Sequence, residues 1–198
     1  MLSKLKSYQV LNATATPYSD EQILALLGSE PTYERGFCLL MKQYKERLYW
    51  HIRRIVLVHQ DADDVLQNTF IKINKGIHRF EGNSKLYTWL YRIATNEAIS
   101  HLKSSTRKAT TSLDEGADWL AGKLRADPWF DGDALQQKLQ EAIAQLPDKQ
   151  KIVFNLRYYQ EMPYEEMSEL LGTSVGALKA SFHHAAKKIE TAIQNATG

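Results

Sequence analysis

This chain of 198 residues has one cysteine, Cys38, so neither an internal disulfide nor a cysteine-built metal site can form. The neighbours Phe37, Leu39 and Leu40 are apolar, and a buried, inert thiol is expected. No apolar run approaches the roughly 20 residues that a membrane span needs, so direct membrane insertion is not expected. The opening MLSKLKSYQV lacks the apolar core of an export signal. Strand-like alternation is missing, as are a phosphate-cradling glycine loop and any nucleophile paired with a base. Adjacent acids such as Glu165 and Glu166 diverge around a helix rather than converge. The expectations are therefore a reduced, cytoplasmic compartment and a protein that binds rather than catalyses, without cofactor or metal.

Hydrophobic residues make up 43% of the chain, enough to build packed cores. The net charge is only +2, but it is unevenly placed. Residues 1–64 are neutral, 65–108 carry +6, 109–148 carry −5 and 149–198 carry +1. Such asymmetry points to a polyanionic partner. The basic block holds Lys72, Lys75, Arg79, Lys85, Arg92, Lys103, Arg107 and Lys108 against Glu81 and Glu97, interleaved with aromatics. Cations for phosphates and ring faces for bases are what unpaired nucleic acid requires.

Apolar spacing is helical nearly throughout. Ser19 begins a capping box with Gln22, and Gly28 follows that short helix. Tyr33, Phe37, Leu40 and Tyr44, then Leu48, Ile52, Ile55 and Val56, form one buried stripe to about residue 58. Asp61 is expected to cap the next helix, with Val65, Leu66, Phe70, Ile73 and Ile77 inward. Asp64, Gln67, Asn68 and Ile71 share another, exposed face. Gly82, Asn83 and Ser84 break the pattern, and Ser84 is expected to cap a helix running to about Lys103. Gly116, Gly122, Pro128 and Gly132 punctuate an acidic tether. Helices resume with Leu135, Leu139, Ile143 and Leu146 as far as Pro147, and again with Ile152, Val153 and Leu156. The predicted fold class is all-α, two small helical domains joined by an acidic linker. Its boundaries are a 1–29 extension with a short helix, domains 30–108 and 133–190, linker 109–132 and tail 191–198.

Residues 162–189 have the spacing of a helix-turn-helix. Pro163 can open the first helix, Ser168 is small where two helices approach, Gly172 makes the turn and Ser174 caps the second. Leu178 and Phe182 point inward. Lys179, Ser181, His183, His184, Lys187 and Lys188 remain on or near the outer faces, able to reach phosphates and base edges. A plain helical hairpin with a solvated face is the alternative. His183 and His184 make poor metal ligands, because neighbours on a helix point about 100° apart.

Together these segments resemble the bacterial RNA polymerase sigma factors of the sigma-70 family, in its extracytoplasmic-function (ECF) subgroup. The resemblance to region 2 rests on Asp61 to Asp64, Gln67, Thr69-Phe70, Phe80, Gly82, Ser84, the run Thr88 to Ala94, and Asn96. That to region 4 rests on Leu146-Pro147, Val153-Phe154, Tyr164, Glu166, Leu171-Gly172, Ser174 to Gly176, and Lys179. The resemblance covers roughly residues 30–108 and 133–190.

It implies a promoter-specificity subunit. Asp61, Asp64, Gln67, Asn68 and Ile71 would contact the clamp helices of core RNA polymerase, with its flap as a further contact. Gly82, Asn83, Ser84, Lys85 and Leu86, with Trp89, Arg92 and Asn96, would capture a flipped minus-10 base. Lys103, Arg107 and Lys108 would hold phosphates. Trp89 is expected to be half core. Ser174, Lys179, Ser181, His183, His184 and Lys187 would meet the minus-35 element. An anti-sigma factor would be a further partner, able to keep the protein at the membrane.

The chain departs from the family where Ser181, His184 and Ala186 replace arginines. Losing bidentate guanidinium donors predicts a weak or unusual minus-35 preference. Two rivals are an ordinary helix-turn-helix regulator, which leaves the basic-aromatic block unexplained, and a nucleic-acid-modifying enzyme, which lacks catalytic candidates.

Overall fold

A computed structural model describes residues 18–109 and 134–195, so most of the acidic tether lies outside the described residues. Eight α-helices occur among those residues. The first half holds α1 (Asp20–Leu27), α2 (Tyr33–Val56), α3 (His59–Gly76) and α4 (Leu86–Ala109). The second holds α5 (Ala134–Ala144), α6 (Asp148–Tyr158), α7 (Tyr164–Leu171) and α8 (Val175–Asn195). Short 3-10 turns at Glu30–Thr32 and Ile77–Arg79 complete the described helical structure.

Helix α1 begins with the predicted capping box. Ser19 Oγ accepts from the Gln22 amide, and the Gln22 side chain accepts from the Ser19 amide at 2.8 Å. Its Ile23 and Leu27 are buried beside α2, and Asp20 accepts from Tyr44 Oη at 2.7 Å. Helix α2 carries the predicted stripe of Leu40, Tyr44, Leu48, Ile52, Ile55 and Val56. Leu57, at φ 68, reverses the chain into α3. Ile73 and Leu90 are completely buried between α2, α3 and α4, each contributing on the order of 1.5–3 kcal/mol.

Four local expectations change. Cys38 is exposed rather than buried, because it lies about 200° around the helix from the buried Gly36. Helix α3 starts at His59 after an extended Val58, so Asp61 sits within its first turn instead of capping it. Helix α4 starts at Leu86, which places Ser84 one residue outside the cap, its hydroxyl turned to the Lys85 carbonyl at 3.5 Å. That helix also continues to Ala109 rather than stopping near Lys103.

In the second half, Leu139, Ile143, Leu146, Phe154, Ala185, Ile189 and Ile193 form one cluster. Helix α6 is buried at every position from Lys151 to Leu156. One side therefore serves that cluster, while Ile152, Val153 and Leu156 join the core of the first half. The two halves touch directly.

Candidate nucleic-acid and protein interfaces

Two grooves flank α3. On one side, α3 and its following 3-10 turn present Lys72, Lys75, Gly76 and Arg79. Facing them from α4 are Trp89, Ile93, Asn96 and Glu97, around a space of about 490 Å³. Positions 89, 93 and 96 share this face by helical spacing. Trp89 is half-buried, as expected, with its ring 5.5 Å from Phe80. The indole edge packs directly on Gly76, where a Cβ would lie in ordinary contact at 3.4 Å from Trp89 Cζ2. Glu97 is largely covered and pairs with Lys72 across the groove. Flat ring, amide and cations thus meet in one concavity. Sequence reasoning placed Trp89 and Asn96 together but left out Lys72, Lys75, Arg79 and Glu97 as lining residues. The i, i+3 and i+7 spacing of Lys72, Lys75 and Arg79 along α3 and its 3-10 turn was the available signal for the three cations.

The turn before α4 sits beside this groove. Gly82 has φ +74, a conformation that side-chain-bearing residues seldom adopt. Gly82, Asn83 and Lys85 are exposed, and Asn83 Nδ2 donates to Glu81 Oε2 at 3.0 Å. Lys85 Nζ lies 2.7 Å from Glu166 Oε1 of α7. Leu86 is only 3% exposed, so it supports the turn from the core and presents no side chain to a ligand. Arg92 and Lys103 are exposed on α4, whereas the side chains of Arg107 and Lys108 lie outside the described residues. Tyr91, another aromatic of the basic block, is buried, and desolvation pushes its hydroxyl up to about 12. The block is thus one working face backed by core aromatics.

On the opposite side of α3, Phe37, Met41 and Lys45 of α2 face Asp63, Leu66, Gln67, Phe70, Ile71 and Asn74 across about 450 Å³. Ile71 is 45% exposed at the edge of this groove, next to the apolar side chains of Phe37, Met41, Leu66 and Phe70. Asp64, Gln67 and Asn68 are exposed along the same helix. Asp61 is half-buried, its Oδ2 3.5 Å from His101 Nε2, so it stands apart from the groove.

His51 of α2 is buried against α4. Its Nε2 is 2.8 Å from Thr95 Oγ1, whose hydroxyl donates to the Tyr91 carbonyl at 2.7 Å, so Nε2 carries the proton. Burial first, and Arg54 second, lower its pKa from 6.5 to about 3. The imidazole is a neutral structural linker at neutral pH.

In the second half, α7 ends on Gly172 at φ 60, and Ser174 Oγ accepts from the Ala177 amide at 3.4 Å to cap α8. Leu178, Ala185, Ile189 and Ile193 face inward. Phe182 stacks on Phe154, rings 5.7 Å apart. Lys179, His183, His184 and Lys187 are exposed, while Ser181 is half-buried at the edge of the outer face. Arg157 and Lys179 lie 5.1 and 5.7 Å from the Tyr164 ring, a cluster of positive charge at the start of α7. Among the described residues no three His, Cys, Asp or Glu side chains are grouped to hold a metal ion, and no helix is long and apolar enough to cross a membrane.

Comparison with known proteins matches this division. The sigma-70 region 2 family model covers residues 40–108, and the sigma-70 region 4 model covers residues 136–189. The RNA polymerase sigma-H factor of Pseudomonas aeruginosa is 30% identical over 169 residues, covering 81% of this chain and 88% of that protein. The ECF RNA polymerase sigma factor SigW of Bacillus subtilis is 32% identical over 158 residues, covering 75% and 83%. The sigma factor RpoE of Bartonella quintana, solved in complex with the anti-sigma factor NepR, shares the fold with TM-score 0.65. It is 21% identical, over 80% of this chain and 96% of that one. CnrH, solved with the cytosolic domain of CnrY, has TM-score 0.62 at 20% identity, over 89% and 97%. With two grooves around α3, a helix-turn-helix behind them and these relatives, the chain belongs to the ECF sigma factors of the sigma-70 family, which act in transcription initiation.

Proposed function

We propose that the two sides of α3 divide the work of initiation. The α2–α3 groove, with Asp64, Gln67, Asn68 and the exposed Ile71, docks on the clamp helices of core RNA polymerase. Asp61 holds the start of that helix against His101. The α3–α4 groove takes the non-template strand of the minus-10 element, with Trp89 as stacking platform, Asn96 reading an edge and Lys72, Lys75 and Arg79 following the phosphates. Gly82 to Lys85 form the neighbouring capture turn, with Arg92 and Lys103 as further cations. Unstacking a base costs a few kcal/mol, and stacking of about 1–3 kcal/mol per base offsets it. Residues 30–108 form this unit. Residues 133–190 form the second, in which Ser174, Lys179, His183, His184 and Lys187 meet the minus-35 duplex.

Catalysis of RNA synthesis is left to the core enzyme; this chain supplies recognition and melting in the cytoplasm. An anti-sigma protein is a further partner, supported by the two solved relatives, each in complex with another protein. The observation that carries the proposal is the pair of chemically different grooves on opposite sides of one helix. A helix-turn-helix regulator acting alone would leave both without a use.

The test is in vitro transcription with purified core polymerase, comparing the wild type with Ile71→Asp. Because Ile71 is exposed, the variant should keep its thermal midpoint yet bind core polymerase about tenfold more weakly. Equal affinity of the two proteins would refute the docking assignment.

A further inference from the structure

We infer that Glu97 is a base-selecting residue of the α3–α4 groove, whose carboxylate favours a guanine in the unpaired strand. This deepens the function proposed above and rests on it. The groove has a chemical direction. The cations that line it, Lys72, Lys75 and Arg79, all come from α3 or the 3-10 turn after it. From α4 come the indole of Trp89, Ile93, the amide of Asn96 and the carboxylate of Glu97. A strand lying here is driven to set its phosphates along α3, because a phosphate beside Glu97 is repelled. What α4 presents is therefore met by base edges.

Among the described residues that line the groove, Glu97 is the one acid, and its side chain is only 13% exposed. Lys72 Nζ donates to its Oε1 from the opposite wall. As a brace between helices this pair achieves little, because the lysine is 59% exposed and water competes for it. A carboxylate offers about four acceptor sites, and Lys72 takes one of them.

Asn96 and Glu97 differ in what they can discriminate. An amide carries both a donor and an acceptor and turns to suit either kind of edge, so Asn96 holds a base without choosing strongly. The carboxylate only accepts. Guanine sets two N–H donors side by side on its Watson–Crick edge, at N1 and N2, and a carboxylate takes both in one plane. Adenine and cytosine place a ring-nitrogen lone pair beside their donor, and thymine flanks its single N–H with two carbonyl oxygens. Each of those three turns a lone pair toward the negative charge. Trp89 and Glu97 are eight residues apart on α4, about 12 Å of helix. The base stacked on the indole and the base chosen by the carboxylate are therefore separate nucleotides.

Holoenzyme binding to fork-junction DNA tests this. The single-stranded arm is varied one position at a time among the four bases and hypoxanthine, which is guanine without its N2 amino group. Wild type is expected to lose about tenfold in affinity when guanine gives way to hypoxanthine at one position. Glu97→Gln, matched in shape, should show less than about a twofold difference there. Lys72→Ala keeps the carboxylate, and should bind every strand more weakly while retaining the guanine-over-hypoxanthine ratio. A wild type without any guanine-selective position would overturn the inference by itself. So would a carboxylate-dependent preference for another base, or equal ratios for wild type and Glu97→Gln. Loss of the ratio in Lys72→Ala as complete as in Glu97→Gln would make Glu97 a brace and reject it as a selector. Trp89→Ala binding as tightly as wild type would instead sink the groove assignment beneath it.

Discussion

The α3–α4 groove is concave and gathers an indole, an amide and several cations from two helices, whereas α8 offers a convex row of side chains without an arginine. The difference reflects the substrates proposed for them. An unpaired strand has exposed ring faces, so a recess with a stacking floor gains energy that no duplex could supply. A duplex hides its faces and is read along groove edges, where a helix needs long bidentate donors. On the proposed reading, Ser181 and His184 stand at such positions, which would make the second half the weaker reader of the two.

The largest effect should come from emptying the groove. Trp89→Ala is expected to weaken holoenzyme binding to a fork-junction minus-10 DNA by about tenfold to a hundredfold, with Trp89→Tyr retaining most of the affinity. Equal binding by all three proteins would mean the groove is not the strand's path. The buried core of the first half should reveal itself through pH. Folded His51 protonates only near pH 3, while the unfolded chain takes up that proton near 6.5. Its contribution is therefore complete above pH 6.5 and is lost as pH falls toward 3, by about 1.4 kcal/mol per unit. Urea titrations between pH 6 and 4 should show His51→Gln, which keeps a donor for Thr95, lacking that slope; parallel slopes would refute the assignment. The smallest effect belongs to the second half. Ser181→Arg with His184→Arg should tighten binding to a guanine-bearing minus-35 duplex about fivefold, measured by mobility shift across promoter variants. No change in affinity or sequence choice would show that the missing arginines are not what limits this helix.

Much of this organisation was legible in advance. The capping box at Ser19, the α2 stripe and the Gly172 turn follow from local chemistry, because each needs only residues within a few positions of one another. The joint placement of Trp89 and Asn96 was equally readable from their seven-residue spacing. Cys38 misled because its apolar neighbours were weighed above its position around the helix. Asp61 and Ser84 misled because a good capping residue marks a place where a helix can start, and packing chose another. Leu86 was readable as the first apolar position of α4 from its spacing with Leu90, Ile93 and Ala94, and its burial there removes it from the capture turn that the resemblance implied.

The basic-aromatic block, the acidic tether and the helix-turn-helix were set by the sequence alone, since periodicity and charge are properties of the chain. Tertiary structure decided which residues of α3 meet which residues of α4, and so made a groove from cations the sequence left scattered. It also decided that α6, apolar on more than one side, would bridge two cores and draw Glu166 to Lys85. A helix reads out its own faces, but what covers each face depends on elements far away in the chain, and only folding brings those together.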